Sequence, residues 1–121
     1  RVRLPYHLSA LAQAAGLVAL RHAEEALAIV EEVRRQRDRL LAELPKIPGV
    51  VAYPSDANFV LFRPPRPAPE VWSRLLARGV LVRDVSDAAP GCLRVTAGTE
   101  VEVGAFLDAL REVLSGAEEG A

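Results

Sequence analysis

The chain has 121 residues, half of them hydrophobic, which is one domain's worth of core on the usual prior of about 100 to 200 residues per domain. Fifteen basic residues against sixteen acidic ones leave a net charge of -1, which disfavours a dedicated nucleic-acid or anionic-membrane binder, and no apolar run approaches the roughly eighteen residues of a bilayer span. One cysteine, Cys92, excludes an internal disulfide, and with only His7 and His22 there is no metal framework, so a reducing, cytoplasmic setting is expected.

Residues 1–7 (RVRLPYH) read as an extended lead-in, because Pro5 keeps Leu4 out of helical geometry and Ser9 is placed to cap a helix starting just after it. From Leu8 to Leu44 nearly every residue is a good helix former. Leu11, Ala15 and Val18, then Leu27, Val30, Val33, Leu40, Leu41 and Leu44, mark an apolar stripe at helical spacing. The polar face offers Glu31 to Arg35 and Arg34 to Asp38 at four-residue spacing. A single helix of that length is long for a globular domain, so a break is expected near Arg21 and His22, and Pro45 and Pro48 prevent continuation.

The hydrophobic period then changes. Val50 and Val51 lead to Tyr53 and a turn at 54–56, and residues 58–62 (NFVLF) form a strand, apolar on both faces and therefore central. Residues 63–69 hold four prolines and form a loop, and Pro69 suits the first turn of a short helix that packs Val71, Leu75 and Trp72 and ends at Gly79. Val80 to Arg83 reads as a second strand, 88–91 as a turn and Cys92 to Thr96 as a third strand. Thr99 and Glu102 form a capping box opening a last helix through Val103, Phe106, Leu107, Leu110 and Val113. The expected class is α/β or α+β: a small sheet of about three to four strands covered by helices. The expected organisation is residues 1–22 as lead-in and first helix, 23–115 as a small domain and 116–121 as a frayed tail.

No self-sufficient catalytic signature is present: no Gly-rich phosphate loop, no paired-histidine metal motif, no nucleophile elbow. Arg83 and Arg94 stand out because they close or interrupt apolar strand segments, where a charge is costly unless it meets an anion. A guanidinium is a planar fork that grips carboxylate or phosphate bidentately. The competing readings are a structural ion pair with Asp84 or Asp87, or a side chain snorkelling from a strand end.

Four segments, RLPYHLSALAQ at 3–13, PSDANFVLF at 54–62, GVLVRDVS at 79–86 and LRVTAGT at 93–99, together resemble the histidinol-phosphate aminotransferases. LRVTAGT or ANFVLF alone points only to the wider fold-type I, pyridoxal-phosphate-dependent aminotransferases. The resemblance is to the carboxy-terminal part of such an enzyme, the link from the large domain and the small domain, and the absence of methionine agrees with a chain cut from a longer one.

The resemblance implies that Arg94 binds the α-carboxylate of glutamate or 2-oxoglutarate and shares in binding the phosphate of histidinol phosphate, with Arg83 as a second phosphate arginine. It places Asn58 beside the active-site cleft, though an asparagine between turn and strand also commonly satisfies local backbone. Tyr6 and His7 match a segment near the dimer interface and the cofactor phosphate, with His where Asn is common; a cap or surface histidine is the ordinary alternative, as it is for His22. The Schiff-base lysine lies upstream in the family, so no catalytic residue is assigned in this chain. The only lysine, Lys46, reads as a surface residue between two prolines. The resemblance further implies a homodimer using pyridoxal 5'-phosphate, with this chain inactive alone and carrying no covalently bound cofactor. Two rivals remain: the same fold with another substrate (an aromatic, alanine or aspartate aminotransferase, or threonine-phosphate decarboxylase), and a non-enzymatic α/β binding module.

Overall fold

A computed structural model describes residues 8–116, and Tyr6 and His7 lie outside the described residues. The chain divides into two compact units, Arg1–Glu31 and Glu32–Ala121. In the first, helix α1 spans Ala10–Arg21, with Ser9 Oγ accepting the Ala12 N–H at 3.1 Å as its cap. The helix stops at the expected place, His22, whose N–H returns to the Val18 and Ala19 carbonyls. Helix α2, Ala23–Glu43, starts immediately after it and runs on into the second unit. The His22 ring meets Glu25 at 3.1 Å and is well exposed, a surface role.

The apolar stripe behaves differently along its length. No residue of α1 is buried, and Leu11, Leu20, Leu27 and Ile29 are all strongly exposed, whereas Leu40 and Leu44 are fully buried. The spacing correctly marks an apolar face, but within this chain only its carboxy-terminal part is core. On the polar face, Arg35 pairs with Glu32 and Asp38 with Arg37. A 3-10 turn at Leu44–Lys46, with Pro45 in it, ends the helical stretch.

The second unit is built on a four-stranded antiparallel sheet in the order β1-β2-β4-β3, with β1 Val51–Ala52, β2 Phe59–Arg63, β3 Arg83–Asp84 and β4 Leu93–Thr96. Helix α3 (Ala68–Ala77) lies between β2 and β3 in sequence, and α4 (Glu100–Ser115) follows β4. Strand β2 is central, as its two apolar faces imply. Alternation sends Val60 and Phe62 of β2 and Leu93 and Val95 of β4 into one core with Leu40, Leu75, Phe106 and Leu110. Phe62 and Phe106 pack edge to face at 5.7 Å. The helices cover that face of the sheet. The opposite face carries Phe59, Leu61, Arg63, Arg94 and Thr96, all partly or fully exposed.

The strand expected over Val80 to Arg83 is corrected: the ladder begins only at Arg83, and residues 80–82 are outside it. Gly79, with φ +75, lets the chain turn sharply off α3 into this segment.

Helix α4 opens as expected. Glu102 N–H donates to Thr99 Oγ1 at 3.3 Å, while the Thr99 N–H and hydroxyl donate to Glu102 Oε2 at 2.8 and 2.9 Å. Gly98 leaves room beside it: a Cβ there would push against the Glu102 carboxylate and disturb the cap. The Thr99 N–H, and then its hydroxyl, hold the Glu102 carboxyl below its ordinary value of 4.5. A folded-state pKa below the unfolded one means that this contribution to stability is present above the unfolded value and is lost as pH falls through the folded one. Thr99→Ala is expected to lower stability by about 1 kcal/mol in denaturant unfolding. Glu102→Gln is expected to flatten the fall in melting temperature below about pH 4.5, read from thermal scans across pH.

Candidate functional site

The site begins with a register. Arg83 of β3 is the direct cross-strand partner of Arg94 of β4, and Arg94 is also paired with Leu61 of β2. Directly opposed residues on antiparallel strands project from the same face with Cβ atoms about 4.5 to 5.5 Å apart, so two guanidinium side chains leave the sheet side by side. Like charges so placed oppose folding.

Among the described residues no carboxylate lies within ion-pair distance of Arg83 or Arg94. The two aspartates considered as structural partners do not serve. Asp84 pairs across the ladder with Leu93, which is a core residue, so alternation sends Asp84 to the other face from Arg83. Its carboxylate turns to Ser86, accepting the hydroxyl at 2.5 Å and the backbone N–H at 2.9 Å, and these two bonds hold its pKa below the ordinary 3.8. Asp87 is exposed in the following turn.

Arg94 is half-buried, with its guanidinium carbon 4.8 Å from the centroid of the Phe59 ring, and its Nε is buried without an acceptor. Stacking on an aromatic face fixes the plane of the fork without using its N–H groups. The arrangement leaves the buried Nε–H unpaired, which is costly, and the guanidinium makes no ion pair among the described residues, so it remains available to an anion.

A cleft of about 420 Å³ adjoins the pair, lined by Trp72, Leu81, Val82, Arg83, Asp84, Arg94 and Thr96. Its origin is a departure from the ladder. Continuing the β3–β4 register beyond Arg83↔Arg94 would set Val82 against Val95 and Leu81 against Thr96, but pairing stops at Arg83 and the chain diverges, opening the space. A second cleft of about 490 Å³, lined largely by Val80, Val95, Val103 and Phe106, has Glu102 as its only charged residue, and that carboxylate is committed to the helix cap. Of these two clefts the two-arginine one is better equipped to bind an anion: its single carboxylate, Asp84, is bound to Ser86 and is outnumbered by Arg83 and Arg94.

The other expected positions come out unevenly. Asn58 precedes β2, and its carbonyl accepts the Ala97 N–H at 2.8 Å, extending the β2–β4 pairing. Its side chain is exposed and makes no hydrogen bond among the described residues, and the local turn is held by Ser55, which accepts from Ala57 N–H and donates to the Phe59 carbonyl. Lys46 is exposed and bound to Glu43 at 2.6 Å. Cys92 is buried. Among the described residues no group of three or more His, Cys, Asp or Glu is placed to hold a metal ion, and no helix is long and apolar enough to cross a membrane.

Two residues of the site escape a reading of the sequence: Phe59, beneath the Arg94 guanidinium, and Trp72, which lines the cleft. Phe59 reads simply as one more apolar strand residue, and Trp72 as helix packing. The signal for Trp72 is chemical: an indole N–H rarely stays unpaired when partly buried, and here it donates to the Val82 carbonyl at 2.9 Å.

The family described as aminotransferase class I and II matches residues 1–110. A histidinol-phosphate aminotransferase of Streptomyces avermitilis is 55% identical over 93% of this chain, and one of Frankia casuarinae is 53% identical over 99% of it. The chain spans about 30% of the length of these curated relatives. Among solved structures, the histidinol-phosphate aminotransferase of Clostridium acetobutylicum superposes with a TM-score of 0.81 at 22% identity, over 93% of this chain and 35% of that one, which speaks to the fold alone. The L-threonine-O-3-phosphate decarboxylase of Porphyromonas gingivalis gives 0.75 at 25% identity, over 89% and 35%.

If the arginine pair is held against its own repulsion, relieving it must stabilise the chain. Arg83→Glu, which places an opposite charge across from Arg94, is expected to raise stability by a few tenths of a kcal/mol. The unaltered chain should gain stability as salt rises and screens the pair, and the variant should not. Melting temperatures at low and high ionic strength check both.

Proposed function

The chain belongs to the class I and II aminotransferases, and on that premise we propose that it is the substrate-binding small-domain part of a histidinol-phosphate aminotransferase, exchanging an amino group between histidinol phosphate and 2-oxoglutarate. The observation that carries the reading is the cross-strand Arg83–Arg94 pair, unneutralised by any described carboxylate and opening onto a cleft. Such an enzyme binds two different anions in turn at one place. Glutamate presents a carboxylate of one negative charge, and histidinol phosphate a phosphate of about −1.5 to −2 at neutral pH with three acceptor oxygens.

In this reading Arg94, stacked on Phe59, grips the carboxylate of one substrate and the phosphate of the other, and Arg83 adds a second fork that the phosphate needs and the carboxylate does not. The work of this chain is binding and orientation: fixing the anionic end of the substrate fixes where its reacting amino group lies. Pyridoxal 5'-phosphate, the cofactor of the family, supplies the electron sink for amino transfer when bound. The described residues do not fit it. The sole lysine is exposed, tied to Glu43 and set in a proline-flanked turn, so the reading assigns the cofactor-bearing lysine to the part of the enzyme beyond this chain's span. A cytoplasmic homodimer, with Asn58 beside the cleft, completes the reading.

A second reading shares the cleft. Phosphothreonine carries both a phosphate and an α-carboxylate, and the similarity to a threonine-phosphate decarboxylase structure keeps that substrate class in view. Comparing the two phosphate compounds as substrates of the complete enzyme separates the readings.

In the complete enzyme, Arg94→Ala is expected to lower kcat/KM for both histidinol phosphate and glutamate by about 2 to 4 kcal/mol, the effect of removing one partner of a desolvated charged pair. Arg83→Ala should penalise histidinol phosphate more than glutamate by about 1.5 to 3 kcal/mol. Single-turnover kinetics with each amino donor, with thermal unfolding of each variant, measure this. Equal losses from the two donors after Arg83→Ala would remove the phosphate role.

A further inference from the structure

We propose that Trp72 is a positioning residue that sets selectivity for phosphate over carboxylate by holding Arg83 in place, an inference that rests on the reading of Arg83 as the second phosphate fork. Strand β3 is only two residues long and lies at the sheet edge, paired on one side with β4. An edge strand this short does not fix its own direction, and something must hold the segment leading into it.

Two hydrogen bonds from α3 do so. The Val80 N–H donates to the Leu75 carbonyl at 3.0 Å, anchoring the segment's start, and the Trp72 indole N–H donates to the Val82 carbonyl at 2.9 Å, immediately before Arg83. The second bond falls where β3 leaves the ladder. Continued, the register would set Val82 opposite Val95 at a non-hydrogen-bonded position, so its carbonyl points off the sheet edge, where a side chain from the neighbouring helix takes it. The bond therefore fixes the backbone from which the Arg83 side chain departs.

Trp72 also packs against the core and lines the cleft, so its role through Arg83 must be separated from packing and from direct substrate contact. Three variants do this in the complete enzyme. Trp72→Phe keeps an aromatic ring and removes the donor. Trp72→His removes the larger ring and keeps a donor, because imidazole Nε2 occupies the same place around a five-membered ring as indole Nε1. Arg83→Ala, alone and combined with Trp72→Phe, completes a double-mutant cycle.

The expected result is that Trp72→Phe lowers kcat/KM for histidinol phosphate about fivefold, mainly through KM, the effect of one neutral hydrogen bond. Affinity for inorganic phosphate, measured by calorimetry, should fall by a similar factor, while glutamate changes less than about twofold. Trp72→His should stay within about twofold of the parent for both donors, and Trp72→Phe should add nothing once Arg83 is alanine. A packing role reverses the order, with His worse than Phe, and direct contact with substrate leaves the Trp72→Phe loss intact beside Arg83→Ala. Either result overturns the proposal, as does an equal loss from both donors. If Trp72→Phe does not fold, Trp72→His decides: retained selectivity supports the tether and lost selectivity overturns it. A selective loss for Arg83→Ala without one for Trp72→Phe sinks the tether alone, whereas no selective loss for Arg83→Ala sinks the phosphate reading beneath it.

Discussion

Alternation along β4 is the constraint on which the site depends. Leu93 and Val95 are both nearly fully buried, so Arg94 between them must leave the sheet on the face the helices do not cover, and β3 pairs so that Arg83 stands beside it. A one-residue slip of β4 would drive Arg94 into the core and release Leu93 and Val95 to solvent, which the hydrophobic burial of those residues forbids. The apolar positions therefore enforce a placement of charge that no local interaction favours. Folding energy from one face of the sheet holds two cations together on the other.

The same asymmetry explains which features were legible in the sequence. The break at His22, the proline-rich loop, the helix stop at Gly79 and the Thr99–Glu102 capping box depend on side-chain chemistry within a few residues, and sequence carries that directly. Arg83 and Arg94 were legible as charges set among apolar strand residues, but their mutual register is a tertiary fact. The segment from Val80 to Val82 shows the limit most clearly. Its β-branched, alternating pattern is that of a strand, and Val80 and Val82 do pack against the core while Leu81 is exposed, yet no ladder forms. The ladder stops at Arg83 and a helix ten residues earlier in the chain takes the Val82 carbonyl, tertiary facts of which propensity has no knowledge.

The first unit illustrates a complementary point. Helix α1 is rich in leucine, alanine and valine, and none of its residues is buried. Periodicity identifies an apolar helical surface without saying which body covers it, so the stripe running from Leu11 to Leu44 reads as uniform in sequence although only its end contributes to the core. Asn58 poses the reverse problem. It occupies the expected place before β2, but the turn is secured by Ser55, a residue that competes for the same local backbone groups and that sequence alone does not rank above asparagine.

The two arginines are also unequal, and the inequality suits the task proposed for them. Arg94 is half-buried, its guanidinium carbon over the Phe59 ring, and bonded into the middle of the sheet between β2 and β3. Its side chain is more confined before any ligand arrives, so less conformational entropy remains to be lost on binding. Arg83 is exposed at the edge, and only its backbone is constrained. An enzyme that must take a carboxylate in one half of its cycle and a phosphate in the other gains from one rigid cation common to both anions and one more mobile cation that engages the larger charge. Two rigid forks would favour the phosphate so strongly that the carboxylate half-reaction would suffer, and two mobile ones would orient neither substrate.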